Sequence, residues 1–106
     1  MKKLLLIILL ALLSCSNSLP DESDAKEAAR AAILQNLKSP LDAKFHHNET
    51  INKISNNTFE YKETINAKNS FGGSIKQTAI VKVKWLKDDP SEVTNWTVLN
   101  IEFINR

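Results

Sequence analysis

The apolar residues along this chain follow three different spacings. Positions 4–13 are an unbroken run of Leu, Ile and Ala after Lys2 and Lys3. From Ala25 to Leu37 apolar residues recur every three or four positions, which is the period of one helix face. Asp24 followed by Glu27 matches a capping box, so the helix is predicted to start with Asp24 as its N-cap. Its stripe is Ala25, Ala29, Ala32, Ile33 and Leu37, small enough to let a sheet approach closely. Ser39-Pro40 ends it, because the residue before a proline avoids the α region.

Beyond Pro40 the period becomes two. Residues 43–54 are a weak strand candidate, closed by a tight turn at Asn56-Asn57. From Thr58 the alternation is clean: Phe59, Tyr61, Ile65, Ala67 and Phe71 point one way, and Glu60, Lys62, Thr64, Asn66 and Lys68 the other. Gly72-Gly73 supplies a hairpin turn. The next strand, 74–86, puts Ile75, Ala79, Val81, Val83 and Trp85 on one face, with Lys76, Lys82 and Lys84 opposite. After a loop at 88–92, a last strand at 96–104 turns Leu99, Ile101 and Phe103 inward. Trp96 and Val98 fall on the other parity, which calls for a bulge or a second apolar contact. The predicted class is α+β: one N-terminal helix packed on a three- to four-stranded antiparallel sheet, similar to cystatin-like folds. A small open barrel plugged by the helix is the alternative.

The run at 4–13 is too short for a hydrocarbon core that needs about 20 residues, and its two preceding lysines are those of an export signal. It ends in Leu12-Leu13-Ser14-Cys15, where Cys15 is the only cysteine. This pattern resembles the lipobox of bacterial lipoproteins. The resemblance implies cleavage between Ser14 and Cys15, a diacylglyceryl group on the Cys15 sulfur, and an acylated new amine. Residues 1–14 are then the signal peptide, 15–23 a lipidated N-terminus and flexible tether, and 24–106 a single domain. Two or three acyl chains hold a protein on a bilayer where one holds only marginally. The polar stretch 16–23 could lift the domain roughly 25 Å when extended. The implied location is the cell envelope: the outer membrane in a diderm host, where Ser16 permits export, or otherwise the outer leaflet of the cell membrane.

Charge and residue types narrow the chemistry. The chain has 14 basic and 12 acidic residues. Without Lys2 and Lys3 the mature part has 14 − 2 = 12 of each, a balance that disfavours nucleic-acid binding. With glycine only at 72 and 73, phosphate-cradling loops and dinucleotide fingerprints are excluded, and no cofactor is expected. Nothing frames a serine as GxSxG frames a nucleophile, so the chain reads as non-catalytic. His46-His47 invites a metal, but neighbouring strand residues point to opposite faces, so none is expected there. Glu60, Glu63 and Glu102 are placed to interleave with the lysines of a solvated outer sheet face. The candidate contact residues for an envelope protein partner are Asn56, Asn57, Pro90 and Trp96, in two loops; Trp96 stands out as a large side chain beside a loop.

Residues 37–45 (LKSPLDAKF) and 65–73 (INAKNSFGG), with Lys76 and the Trp96, Val98, Ile101, Phe103 strand, resemble a domain of small bacterial and phage-encoded proteins. That resemblance spans about 26–104, implies an α+β domain, and brings no activity with it. The expected function is a lipid-anchored envelope lipoprotein with a small binding or accessory domain. The alternatives are an inhibitor of a protease or other hydrolase and a surface-exclusion lipoprotein.

Overall fold

The computed structural model describes residues 19–69 and 71–105. The signal segment 1–14, with Ser14, and the proposed attachment residue Cys15 lie outside the described residues, as does the tether up to residue 18. Among the described residues no helix is long and apolar enough to cross a membrane.

Helix α1 (Glu22–Gln35) begins three residues earlier than expected. Its N-cap is Asp21, not Asp24: Asp24 N–H donates to Asp21 Oδ1 and Asp21 N–H donates to Asp24 Oδ2, both at 3.0 Å. An aspartate three residues beyond the cap closes the box as a glutamate would, and both carboxylates sit in the first turn, where the helix dipole favours them. The helix thereby takes in Glu22 and Ser23, assigned to the tether by sequence, and Pro20 just before it is buried. Pro40 follows the helix, as expected, in a short 3-10 turn over Pro40–Asp42.

The sheet has five antiparallel strands rather than three or four. The predicted strand at 43–54 divides into β1 (Lys44–Phe45) and β2 (Thr50–Ser55), which pair one after the other with successive stretches of β3 (Thr58–Lys68). The division falls at His47, whose left-handed φ of 59° turns the chain off the edge just after His46, whose N–H still donates to the Thr64 carbonyl at 3.0 Å. On the other side β3 pairs with β4 (Ser74–Trp85), from Thr58↔Lys84 to Lys68↔Ser74, and β4 pairs with β5 (Trp96–Asn105).

The core lies between α1 and the inner sheet face. Ala25, Ala28, Ala29, Ala32 and Ile33 of the helix meet Phe59, Tyr61, Ile65, Ala67, Ala79, Val81, Val83 and Trp96. Leu99 and Phe71 are the two corrections to the predicted inward set. Lys82 pairs with Asn100 but Val83 with Val98, so Leu99 is an extra residue in β5 and is half exposed. This bulge returns Trp96 and Val98 to the parity of Ile101 and Phe103. Phe71 stands 95% exposed at the tip of the β3–β4 hairpin, because β3 ends at Lys68 and the turn is organised by Asn69 instead. Asn69 Oδ1 accepts from the N–H groups of Phe71 and Gly73 at 3.0 and 2.9 Å, and Gly72 takes a φ of 81°.

The sheet has two ends. At one, the Asn56-Asn57 turn is tied to the end of β4, where the 86–95 loop begins, by Trp85 N–H donating to the Asn57 carbonyl at 2.7 Å. The helix starts near this end, where Asp24 feels the charge of Asp89. It finishes at the other, where Leu37 and Lys38 line a cavity with Ala67, Asn69 and Ile75.

Candidate functional site

The densest chemistry in the domain is a polar cluster buried between α1 and β3. Helical spacing puts Lys26 and Arg30 one turn apart, and Tyr61 and Glu63 are alternate residues on the inner face of β3. The segment 46–49 between β1 and β2 adds His47 and Glu49. Glu63 is 1% exposed and its carboxylate is fully used. Oε1 accepts from Tyr61 Oη in a short bond and from Arg30 Nε at 3.0 Å; Oε2 accepts from Arg30 Nη2 and from His47 N–H, both at 2.8 Å. Arg30 Nε also donates to Tyr61 Oη at 3.1 Å, and its guanidinium lies 4.5 Å above the Phe45 ring. The unusual backbone of His47 therefore aims its N–H at the buried charge.

Electrostatics follow from this geometry. Burial by itself would lower the Arg30 pKa, but the hydrogen bonds to Glu63 and Tyr61 outweigh it and hold the guanidinium protonated more firmly than usual. Burial, reinforced by donation to Glu63, keeps the Tyr61 phenol protonated well above its ordinary range. Lys26 Nζ donates to Glu49 Oε2 at 2.7 Å and pulls the Glu49 carboxyl below its usual value. Glu49 Oε1 is buried without a hydrogen bond, 3.9 Å from Arg30 Nη2.

His47, Glu49 and Glu63 each offer a ligand atom within 4.8 Å of the others. The Arg30 guanidinium occupies the space between them: its Nη2 lies 3.3 Å from His47 Nδ1 and 2.8 Å from Glu63 Oε2. A metal ion would have to displace that cation, so the donor set fits an internal counter-ion better than a metal centre. His46 turns away to Asn66, and the two imidazoles do not converge. What the cluster does chemically is fasten the helix, the 46–49 segment and β3 to one another.

Sequence reasoning placed Glu63 on the solvated lysine face, and this is a correction. Its parity was the available signal, since it stands two residues from both Tyr61 and Ile65. Glu60 does lie on the outer face, directly opposite Lys82.

The contact residues chosen from sequence are brought to one end of the sheet, but they divide by exposure. Asn56 is exposed. Asn57 is committed to its turn, its Oδ1 accepting from Ser55 Oγ at 2.9 Å and Thr58 Oγ1 at 3.0 Å. Trp96 is only 8% exposed and packs on Phe59 with ring centroids 5.9 Å apart. Its indole N–H donates to the Pro90 carbonyl at 2.7 Å, so Pro90 and Trp96 hold the 86–95 loop to the core rather than offering an aromatic surface. The bulge hides this outcome from a simple parity count. Against known proteins, the chain matches no family model, no curated protein and no solved structure.

Proposed function

We propose that this protein is a lipid-anchored envelope lipoprotein whose mature part is a small non-catalytic binding or accessory domain. The observation that carries the reading is Leu12-Leu13-Ser14-Cys15, closing a ten-residue apolar run after two lysines and containing the only cysteine of the chain. The described domain supports it in two ways. Its first buried residue, Pro20, follows Cys15 by five positions, so a short leash would suffice between lipid and fold. The Glu63 carboxylate, the Arg30 guanidinium and the Tyr61 hydroxyl of the buried cluster are engaged with one another, which favours a binding role for the surface. Growth on radiolabelled palmitate tests the anchor. Label is expected in the wild-type polypeptide and absent after Cys15→Ala; label that survives the substitution, or none in either, refutes it.

A second reading, an envelope inhibitor of a hydrolase, is favoured by one observation. The Asn56-Asn57 turn and the 86–95 loop lie side by side at one end of the sheet, as two prongs of a single contact. A photocrosslinker at Asn56 that traps a hydrolase of the envelope in intact cells, with loss of its activity, would favour this reading over an accessory role.

A further inference from the structure

The end of the domain opposite the helix start carries two large apolar side chains with no cover. Phe71 is 95% exposed and Leu41 101% exposed. Neither sits on a loose strand of chain: Asn69 fixes the turn bearing Phe71, and the Pro40–Asp42 turn bearing Leu41 is drawn to β3 by Lys68 Nζ, 3.8 Å from Asp42 Oδ2. At the same end, beside the end of the helix, lies a cavity of about 230 Å³ lined by Leu37, Ala67, Ile75 and Phe103 together with Lys38 and Lys68. Lys44 and Lys76 pair with Asn66 of β3 from either side, at the same end of the sheet, and are exposed.

We infer that this end is a docking surface for an anionic phospholipid bilayer. Leu41 and Phe71 enter the boundary between headgroups and acyl chains, while the lysines meet headgroup phosphates. Charge complementarity favours an anionic bilayer: exposed Lys44 and Lys76 lie at the same end of the sheet as exposed Leu41 and Phe71, and each lysine near an anionic leaflet is worth roughly fivefold in binding. The inference gains a nearby membrane from the lipoprotein reading, on which it partly rests, but the surface itself needs no acyl group. A domain tethered at one end and seated at the other would lie along the membrane instead of standing off it.

The test uses residues 16–106, which contain every core residue described above and lack the lipidation cysteine. Co-sedimentation is measured with vesicles of phosphatidylglycerol and of phosphatidylcholine. Binding is expected to the first, weakened about tenfold or more by salt or by the neutral lipid, and about tenfold by Leu41→Ser with Phe71→Ser. Both side chains are exposed, so this double variant should keep the wild-type melting curve. Because the fragment has no other thiol, Phe71→Cys carrying an environment-sensitive dye should shift to the blue on the vesicles, while the dye at Ile54→Cys should not. Absent binding, binding unchanged in the double variant, or a shift at position 54 alone overturns the inference. Self-association that the double variant abolishes, without vesicle binding, assigns the tip to a second copy and overturns it as well. Palmitate labelling at Cys15 is read separately, so either proposal can fail alone.

Discussion

Removing Arg30 should expose how much the domain depends on its buried ion cluster. Arg30→Met keeps the aliphatic bulk of the side chain but leaves Glu63, whose side chain is 0% exposed, without its cation. Tyr61 and the His47 amide would still donate to it, so two of its four hydrogen bonds survive. Breaking a buried pair from one side costs about 3–5 kcal/mol, and the surviving donors place the expected loss near the lower limit, about 3 kcal/mol. A chain of this size has roughly 5–14 kcal/mol in total, so the variant should fold but unfold at markedly lower urea. Trp85 and Trp96 both lie at β-strand ends and report unfolding by fluorescence. Adding Glu63→Leu removes the orphaned charge and should recover at least half of the loss, giving a favourable coupling of about 1.5 kcal/mol or more in the double-mutant cycle. If Arg30→Met costs under about 1 kcal/mol, or the second substitution adds its own full penalty, the cluster is not an interdependent unit and the argument fails.

Two further outcomes follow from the helix cap and the Lys26–Glu49 pair. Asp21→Ala removes the N-cap acceptor and opens the capping box, so it should cost about 1 kcal/mol in urea unfolding, whereas Glu27→Ala, at the position sequence favoured, should cost only a few tenths. Lys26 holds the Glu49 carboxyl below its ordinary value of 4.5, so this pair contributes stability that is fully present above that pH and is lost as pH falls through the lower folded value. Because both side chains are partly exposed, the loss should stay below about 1 kcal/mol, and Lys26→Met should abolish that part of the acid dependence in denaturation midpoints between pH 6 and 3.

Much of the architecture was legible because it rests on local periodicity. The two-residue alternation of β3 and β4 places Phe59, Tyr61, Ile65, Val81 and Val83 in the core as expected, whereas the helix ends at Gln35 with Asn36 as its C-cap, before the stop expected at Ser39-Pro40. The differences turn on single local choices or distant partners that composition does not announce. One weak strand divides into two at left-handed His47, which delivers an N–H to Glu63. The bulge expected in β5 falls at Leu99 and resets the strand's parity, so Trp96, offered from sequence as a candidate contact, packs in the interior. Glu63 was the most readable of these, since its inward parity was plain and only its charge argued against burial. The partner that makes the burial tolerable, Arg30, lies 33 residues away and has no local signature.

The bulge at Leu99 has a consequence for the domain in company. β5 hydrogen-bonds only to β4 among the described strands, which leaves ten residues of backbone available along one flank. A straight flank of that length is a template for another molecule of the same kind, and repeated pairing of that sort grows fibrils. One inserted residue interrupts the ladder near its middle and adds local twist, so an incoming chain could match only half the length at a time. The irregularity that seats Trp96 in the interior thus also discourages runaway stacking where many copies crowd together.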